Sequence, residues 1–264
     1  MKIINESPIA KSINCHLKNC GCRFSTFIWY SHKLRAVYYE TPKAACSSIK
    51  KALQIKPRKE NIARAYLLHK IGGGAPEMKI GIKEKFCLKE MISEQQNRIN
   101  TKQPSGVTVG DYEFSMYYGG FEESLVDFSD YYKFGFVREP VKRAVSNFQM
   151  FFNTDDKFRF GQMKTLYGKK AETMTFDDFI ASLQQVHNHH WDLYANYIQN
   201  SSNLDKLGKL ENIKNDWQEI CSALGIKEPL PHENKSKKRK VEVSKDTEKL
   251  IKDIYKKDYA EFGY

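Results

Sequence analysis

No stretch of this 264-residue chain is long and apolar enough to cross a bilayer. Its amino-terminal MKIINESPIAKSINCHLKN lacks the sustained apolar core of a secretory leader. Disulfide spacing is missing too. Cys15, Cys20, Cys22, Cys46, Cys87 and Cys221 do not form the framework of a small secreted module. These absences predict a soluble cytoplasmic protein with reduced thiols. Cys15, His16, Cys20 and Cys22 do not have the spacing of a zinc finger, and no second pair accompanies them. No metal site is assigned. There is no internal repeat, and no Gly-x-x-x-x-Gly-Lys-Ser/Thr. The latter absence argues against a nucleoside-triphosphate loop.

What the chain does have is a core and a charge. Apolar residues are 41% and aromatics 13%, with 15 Tyr and 16 Phe, so rings should dominate the interior. Net charge is +11, which favours an anionic partner: nucleotide, nucleic acid, acidic polysaccharide or membrane surface.

Buried strands are predicted at LRAVYYE (34–40), KFGFV (133–137) and KLGKLE (206–211). Helices are predicted from about Ser47 to before Pro57, and over 60–70, 82–98, 139–152 and 212–225. One last helix lies in EKLIKDIYKKDYAEFGY. Thr175 and Asp178 resemble a capping box before FDDFIASLQQV. QPSGVTVGDYEFSMYYGG (103–120) reads as loop with short extended pieces. Strands alternating with helices give an α/β class with a mainly parallel sheet, whose ligands sit at the carboxyl ends of the strands.

Two candidate anion sites fall at such ends. In YYETPKAACSSIKKAL (38–53), Pro42 ends a strand and a turn leads into a helix. Turn N–H groups, the helix dipole, the Ser47 and Ser48 hydroxyls and the Lys43 charge make a phosphate cradle. The small residues Ala44, Ala45 and Cys46 permit close approach. The same letters also fit an ordinary strand–helix connection. In FGFVREPVKRAVSNF (134–148), Arg138 ends a strand and Ser146 lies eight residues on. A guanidinium fork with a hydroxyl suits a phosphate monoester, although an Arg138–Glu139 surface pair fits as well. A nucleotide with phosphates at both ends would use both sites.

These two segments resemble the 5′-phosphosulfate and 3′-phosphate motifs of sulfotransferases that use 3′-phosphoadenosine 5′-phosphosulfate (PAPS). They are closest to the Golgi-type carbohydrate branch and its bacterial relatives. HHW (189–191), LGKLENIKNDWQEICSALGI (207–226), LPHENKS (230–236) and IYKKDYAEFGY (254–264) are similar to further elements of that branch, in order. The resemblance implies a P-loop-like three-layer fold over 34–264, with helices flanking the sheet. Residues 1–33 form an amino-terminal extension outside the likeness.

It also implies roles. Lys43 contacts the phosphosulfate and stabilises the bridging oxygen. Ser47, Ser48 and the N–H groups of Ala45 and Cys46 hold the 5′-phosphate; Arg138 and Ser146 hold the 3′-phosphate. His190 and Trp191 line the acceptor cleft, or pack together as a structural pair. The base that takes the acceptor's proton lies between the two motifs, where His69, Asp111, Glu113, Glu122 and Glu123 occur. His69 and Glu113 are the two preferred. No metal is required. The acceptor implied is a saccharide hydroxyl, and the missing anchor fits a bacterial-type enzyme. KSKKRK (235–240) either adds charge near the site or is solvated loop. The competing reading is a module that binds nucleic acid or another polyanion without catalysis. It calls for basic and aromatic residues on one exposed face.

Overall fold

The computed structural model describes residues 27–55, 111–117, 121–154, 157–186, 188, 190–231 and 241–264. The predicted helices at 60–70 and 82–98, the Cys15–Cys22 cluster, His69 and KSKKRK lie outside them. Five strands form one sheet: β1 (Phe27–Ser31), β2 (Ala36–Glu40), β3 (Ser115–Tyr117), β4 (Tyr132–Val137) and β5 (Lys206–Lys209), in the order β3-β1-β2-β4-β5. β2, β4 and β5 pair in parallel, and β1 runs antiparallel to both β2 and β3. β3 therefore points the same way as β2, and only β1 is reversed.

Every residue of β2 is buried, so both faces of the sheet centre are covered, as its near-continuous apolar run requires. Tyr38 stacks on Phe134 of the neighbouring strand, with ring centroids 5.3 Å apart. The helices among the described residues are α1 (Cys46–Ala52), α2 (Phe121–Asp127), α3 (Pro140–Phe151), α4 (Lys157–Tyr167), α5 (Phe176–Ser182), α6 (Ile213–Leu224), α7 (Lys245–Ile254) and α8 (Lys256–Phe262). A second apolar cluster joins α3, α5 and α7 through Phe148, Phe151, Phe179, Trp191 and Ile251.

Local signals hold where a specific hydrogen bond backs them. The Thr175–Asp178 capping box is made in both directions. Gly225 ends α6 in the left-handed region at φ 67°. Other expectations shift. The folded unit begins before residue 34, because Phe27–Ser31 is a strand of the sheet, hydrogen-bonded on both sides. The predicted last helix is two helices. Tyr255 at φ −98°, ψ 20° separates them while its hydroxyl donates to the Trp191 carbonyl at 2.6 Å. β5 stops at Lys209, where a 3₁₀ turn (Leu210–Asn212) leads into α6. α4 carries no sequence signal of its own, because KFRFGQMKTLY has no apolar stripe at helical spacing.

Gly208 shows how tightly the strands are packed. A Cβ there would overlap the ring of Phe136, which is fully buried and has nowhere to go. Gly208→Ala is expected to destabilise the fold by about 1–3 kcal/mol. The urea midpoint should fall with no change in the slope of the transition.

Candidate anion-binding site

The turn between β2 and α1 is fixed at every step. At its base, buried Glu40 accepts from the Trp29 indole at 2.8 Å and pairs with Lys50 of α1 at 2.7 Å, so the two ends of the turn are clamped together. The Thr41 hydroxyl donates to the Phe136 carbonyl of β4. The Tyr194 hydroxyl donates to the Pro42 carbonyl. Arg138 donates to the Lys43 carbonyl at a long 3.5 Å. Lys43 and Ala45 adopt left-handed backbone (φ 68° and 62°), while Ala44 between them does not. Such alternation turns successive N–H groups into one concavity. Among the described residues, no acceptor takes the N–H groups of Lys43, Ala44 or Ala45.

α1 begins at Cys46, one residue before the start expected near Ser47. Its N-cap is Ala45, and no side chain caps it. Ser47 and Ser48 fall inside the first turn, Ser47 exposed and Ser48 buried. A helix start without a side-chain cap leaves its dipole end open to an anion. Cys46 is a free, half-buried thiol pushed up to about 11, first by burial and then by the Glu40 charge.

β4 delivers Arg138 to the same edge, because β2 and β4 are adjacent and parallel. Glu139 then caps α3, accepting from Val141 N–H at 3.0 Å and Lys142 N–H at 2.8 Å, with Pro140 at the first helical position. The alternative Arg138–Glu139 surface pair does not form, since the carboxylate is committed to the helix and to the Tyr259 hydroxyl. Arg138 Nε is buried without a hydrogen-bond partner. Neither Lys43 nor Arg138 is ion-paired among the described residues; Lys43 makes only a weak contact to the Met150 sulfur at 3.3 Å. Burial pushes the Lys43 ammonium down to about 8, helped by the charges of Arg138 and Arg159. Burial also lowers Arg138. Two partly desolvated cations and three unaccepted N–H groups therefore converge at the carboxyl ends of β2 and β4.

Not every predicted site residue joins them. Ser146 is half-buried on α3, with no hydrogen bond between its hydroxyl and Arg138. Its neighbour Asn147 is fully buried and donates to the His190 carbonyl at 2.8 Å. Trp191 is 2% exposed, donates its indole N–H to the Val186 carbonyl, and packs against Phe151 and Phe179. Its place is in the core, not on a cleft wall. His190 packs edge-on against Phe151 and bonds Asn188. Glu113 lies at the wrong end of the sheet. It precedes Ser115, which is level with Tyr30 and Val37, and it pairs with Lys33 at 3.7 Å. At about 3.3 Å per residue, roughly 20 Å of strand separates it from Lys43. Glu122 and Glu123 instead open α2, just past the carboxyl end of β3 and on the same edge as Lys43.

The Sulfotransferase family model matches residues 26–264. The chain belongs to the sulfotransferase family. No curated protein and no solved structure matches it. A sulfotransferase is a transferase of the EC 2.8.2 type, delivering a sulfuryl group to an acceptor. The match begins at residue 26, one before β1, so the hairpin that brings β1 onto the sheet is part of the family domain. Among the described residues, no helix of this sulfotransferase is long and apolar enough to cross a membrane.

Sequence reasoning gives no role to Glu40 or Tyr194 and reads Glu139 only as a surface partner of Arg138, whereas all three hold the turn or the helix start in place. For Glu139, the signal was available: an acidic residue before proline at a predicted helix start is an N-cap pattern. Tyr194 could not be found, because its partner Pro42 lies 152 residues away.

The Lys43 geometry has a measurable consequence for the free protein. Its ammonium titrates near 8 when folded, against an ordinary value of 10.5, so between those pH values the unfolded chain holds more protons. The unfavourable charge therefore weakens the fold in full below pH 8, and its effect disappears as pH rises through 10.5. Lys43→Met should stabilise the free sulfotransferase at pH 7 by about 1–2 kcal/mol. Urea unfolding should show this gain shrinking by pH 10.

Proposed function

We propose that this sulfotransferase moves the sulfuryl group of PAPS to an acceptor hydroxyl, by in-line transfer within a single P-loop-like, three-layer domain. The observation that carries the reading is the convergence of Lys43 and Arg138, two partly desolvated cations with no carboxylate partner, from adjacent parallel strands. An anionic ligand with a charged group over each strand end supplies the missing counter-charge. PAPS is such a ligand, and the two segments resemble the motifs that bind it.

When bound, PAPS supplies the sulfuryl group. The N–H groups of Ala45 and Cys46, with the Ser47 and Ser48 hydroxyls, hold the 5′-phosphate. Arg138 holds the 3′-phosphate, assisted by Ser146. The Lys43 ammonium stabilises charge that develops on the bridging oxygen, a role that a half-buried cation performs well because little water competes with it. The acceptor's proton goes to a base on the same edge of the sheet. His69, which lies outside the described residues, remains a candidate on sequence alone, and Glu122 takes the place that Glu113 held. A saccharide hydroxyl is the proposed acceptor, and a bacterial-type cytoplasmic enzyme the proposed setting. Nucleic-acid stacking gains no support, since none of the aromatic side chains whose burial is described is exposed.

Calorimetry should detect binding of the product, 3′-phosphoadenosine 5′-phosphate, in the low-micromolar range. Lys43→Ala and Arg138→Ala should each weaken it about 10- to 100-fold. No heat with the wild-type protein would sink the reading. The base has its own test in a transfer assay from labelled PAPS. His69→Ala or Glu122→Gln should lower kcat about 100-fold or more, whichever is the base. Glu113→Gln should leave kcat unchanged.

A further inference from the structure

The buried polar cluster behind the turn has no part in the chemistry described so far. Arg143 of α3 is completely buried and pairs with Asp258 of α8 at 3.1 Å. Its guanidinium lies over the rings of Tyr194 (3.8 Å) and Tyr255 (4.5 Å). Asp258 also accepts the backbone N–H groups of Tyr194 at 3.1 Å and Ala195 at 2.9 Å. Tyr194 is thus fixed at its backbone by the carboxylate and at its ring by the guanidinium. The two tyrosine hydroxyls then go to different places. That of Tyr255 donates to the Trp191 carbonyl, within the helical core. That of Tyr194 donates to the Pro42 carbonyl, in the turn that carries Lys43.

We propose that Tyr194, held by Arg143 and Asp258, is a positioning residue that sets the backbone of the phosphosulfate turn. The proposal rests on the PAPS reading. A peptide unit is planar and trans, so its C=O and N–H point in opposite directions. Holding the Pro42 carbonyl on the buried side aims the Lys43 N–H away from the core, towards the ligand side. That N–H is the first of the three without an acceptor among the described residues. The same anchor opposes relaxation of Lys43 out of its left-handed conformation, which is unfavourable for a residue with a Cβ. Thr41 and Lys43 are tied on either side of Pro42, but to β4 and Arg138. Tyr194 adds a tether from outside the sheet to the Pro42 carbonyl itself.

The experiment compares two near-identical losses. Tyr194→Phe and Tyr255→Phe each remove one buried hydroxyl and keep a ring against Arg143. Wild-type binding of 3′-phosphoadenosine 5′-phosphate, measured by calorimetry, tests the underlying reading; without it that reading fails before this one is reached. Given wild-type binding, Tyr194→Phe should weaken the nucleotide about tenfold. Tyr255→Phe should lower the melting temperature by a similar amount yet leave affinity unchanged. Unchanged affinity in Tyr194→Phe, or an equal loss in both variants, would overturn the proposal. Should Tyr194→Phe fail to fold, amide hydrogen exchange on the wild type carries the test. Nucleotide must then protect the Lys43 N–H, and an unprotected Lys43 amide would refute the assignment.

Discussion

Lys43 and Arg138 carry like charges to one edge of one sheet, and the pairing of β2 with β4 keeps them there. No carboxylate pairs with them among the described residues: Glu40 goes to Lys50 and Trp29, Glu139 goes to the start of α3, and Glu211 acts on Arg138 only from beyond ion-pair distance. A protein that needed only stability would place a carboxylate between two such cations, or move them into water. Here the backbone adds to the electrostatic cost, since Lys43 and Ala45 both sit in left-handed conformations that glycine would adopt without strain. Strain and unpaired charge at one place, with firm tethers around it, mark a site built for something else to complete.

Arg143 is the control within the same structure. It lies five residues beyond Arg138 and is buried more deeply, yet it has Asp258 at 3.1 Å and two aromatic rings against it. A buried guanidinium that serves the fold is neutralised; Arg138, which ends the strand, is not. The contrast also explains why the two belong to one junction. The paired arginine ties α3 to α8 a little over one turn beyond the strand end that carries the unpaired one. Removing Asp258 would strand a buried charge, which is far more damaging than losing the pair altogether.

The strand–turn–helix units were legible because their signals are local. A β-branched and aromatic run, a proline and a helical period are all contained in about fifteen residues, and both anion segments came out at the ends of real strands. The Thr175 cap and the Gly225 stop were legible for the same reason. What failed depended on distance in sequence. Phe27–Ser31 read as part of an arm because a strand is recognised by its neighbours, and one of them, β3, is more than eighty residues on. HHW (189–191) reads equally as cleft lining or as a packed pair. Whether an aromatic residue faces a cleft or a core depends on what packs against it, and Trp191 meets Phe151 and Phe179.

The base shows the same limit most sharply. Glu113 and Glu122 lie nine residues apart, and no local pattern separates their merits. The direction of β3 separates them completely. Because β1 is reversed between β3 and β2, β3 runs parallel to β2, and a residue before it falls at the opposite edge from a residue after it. Ion pairing agrees with the topology: Glu113 is occupied by Lys33 of the β1–β2 turn, at the edge remote from the Lys43 turn. Had β1 been parallel to β2, the two glutamates would exchange places. One reversed strand therefore decides which of the two glutamates lies at the Lys43 end of the sheet.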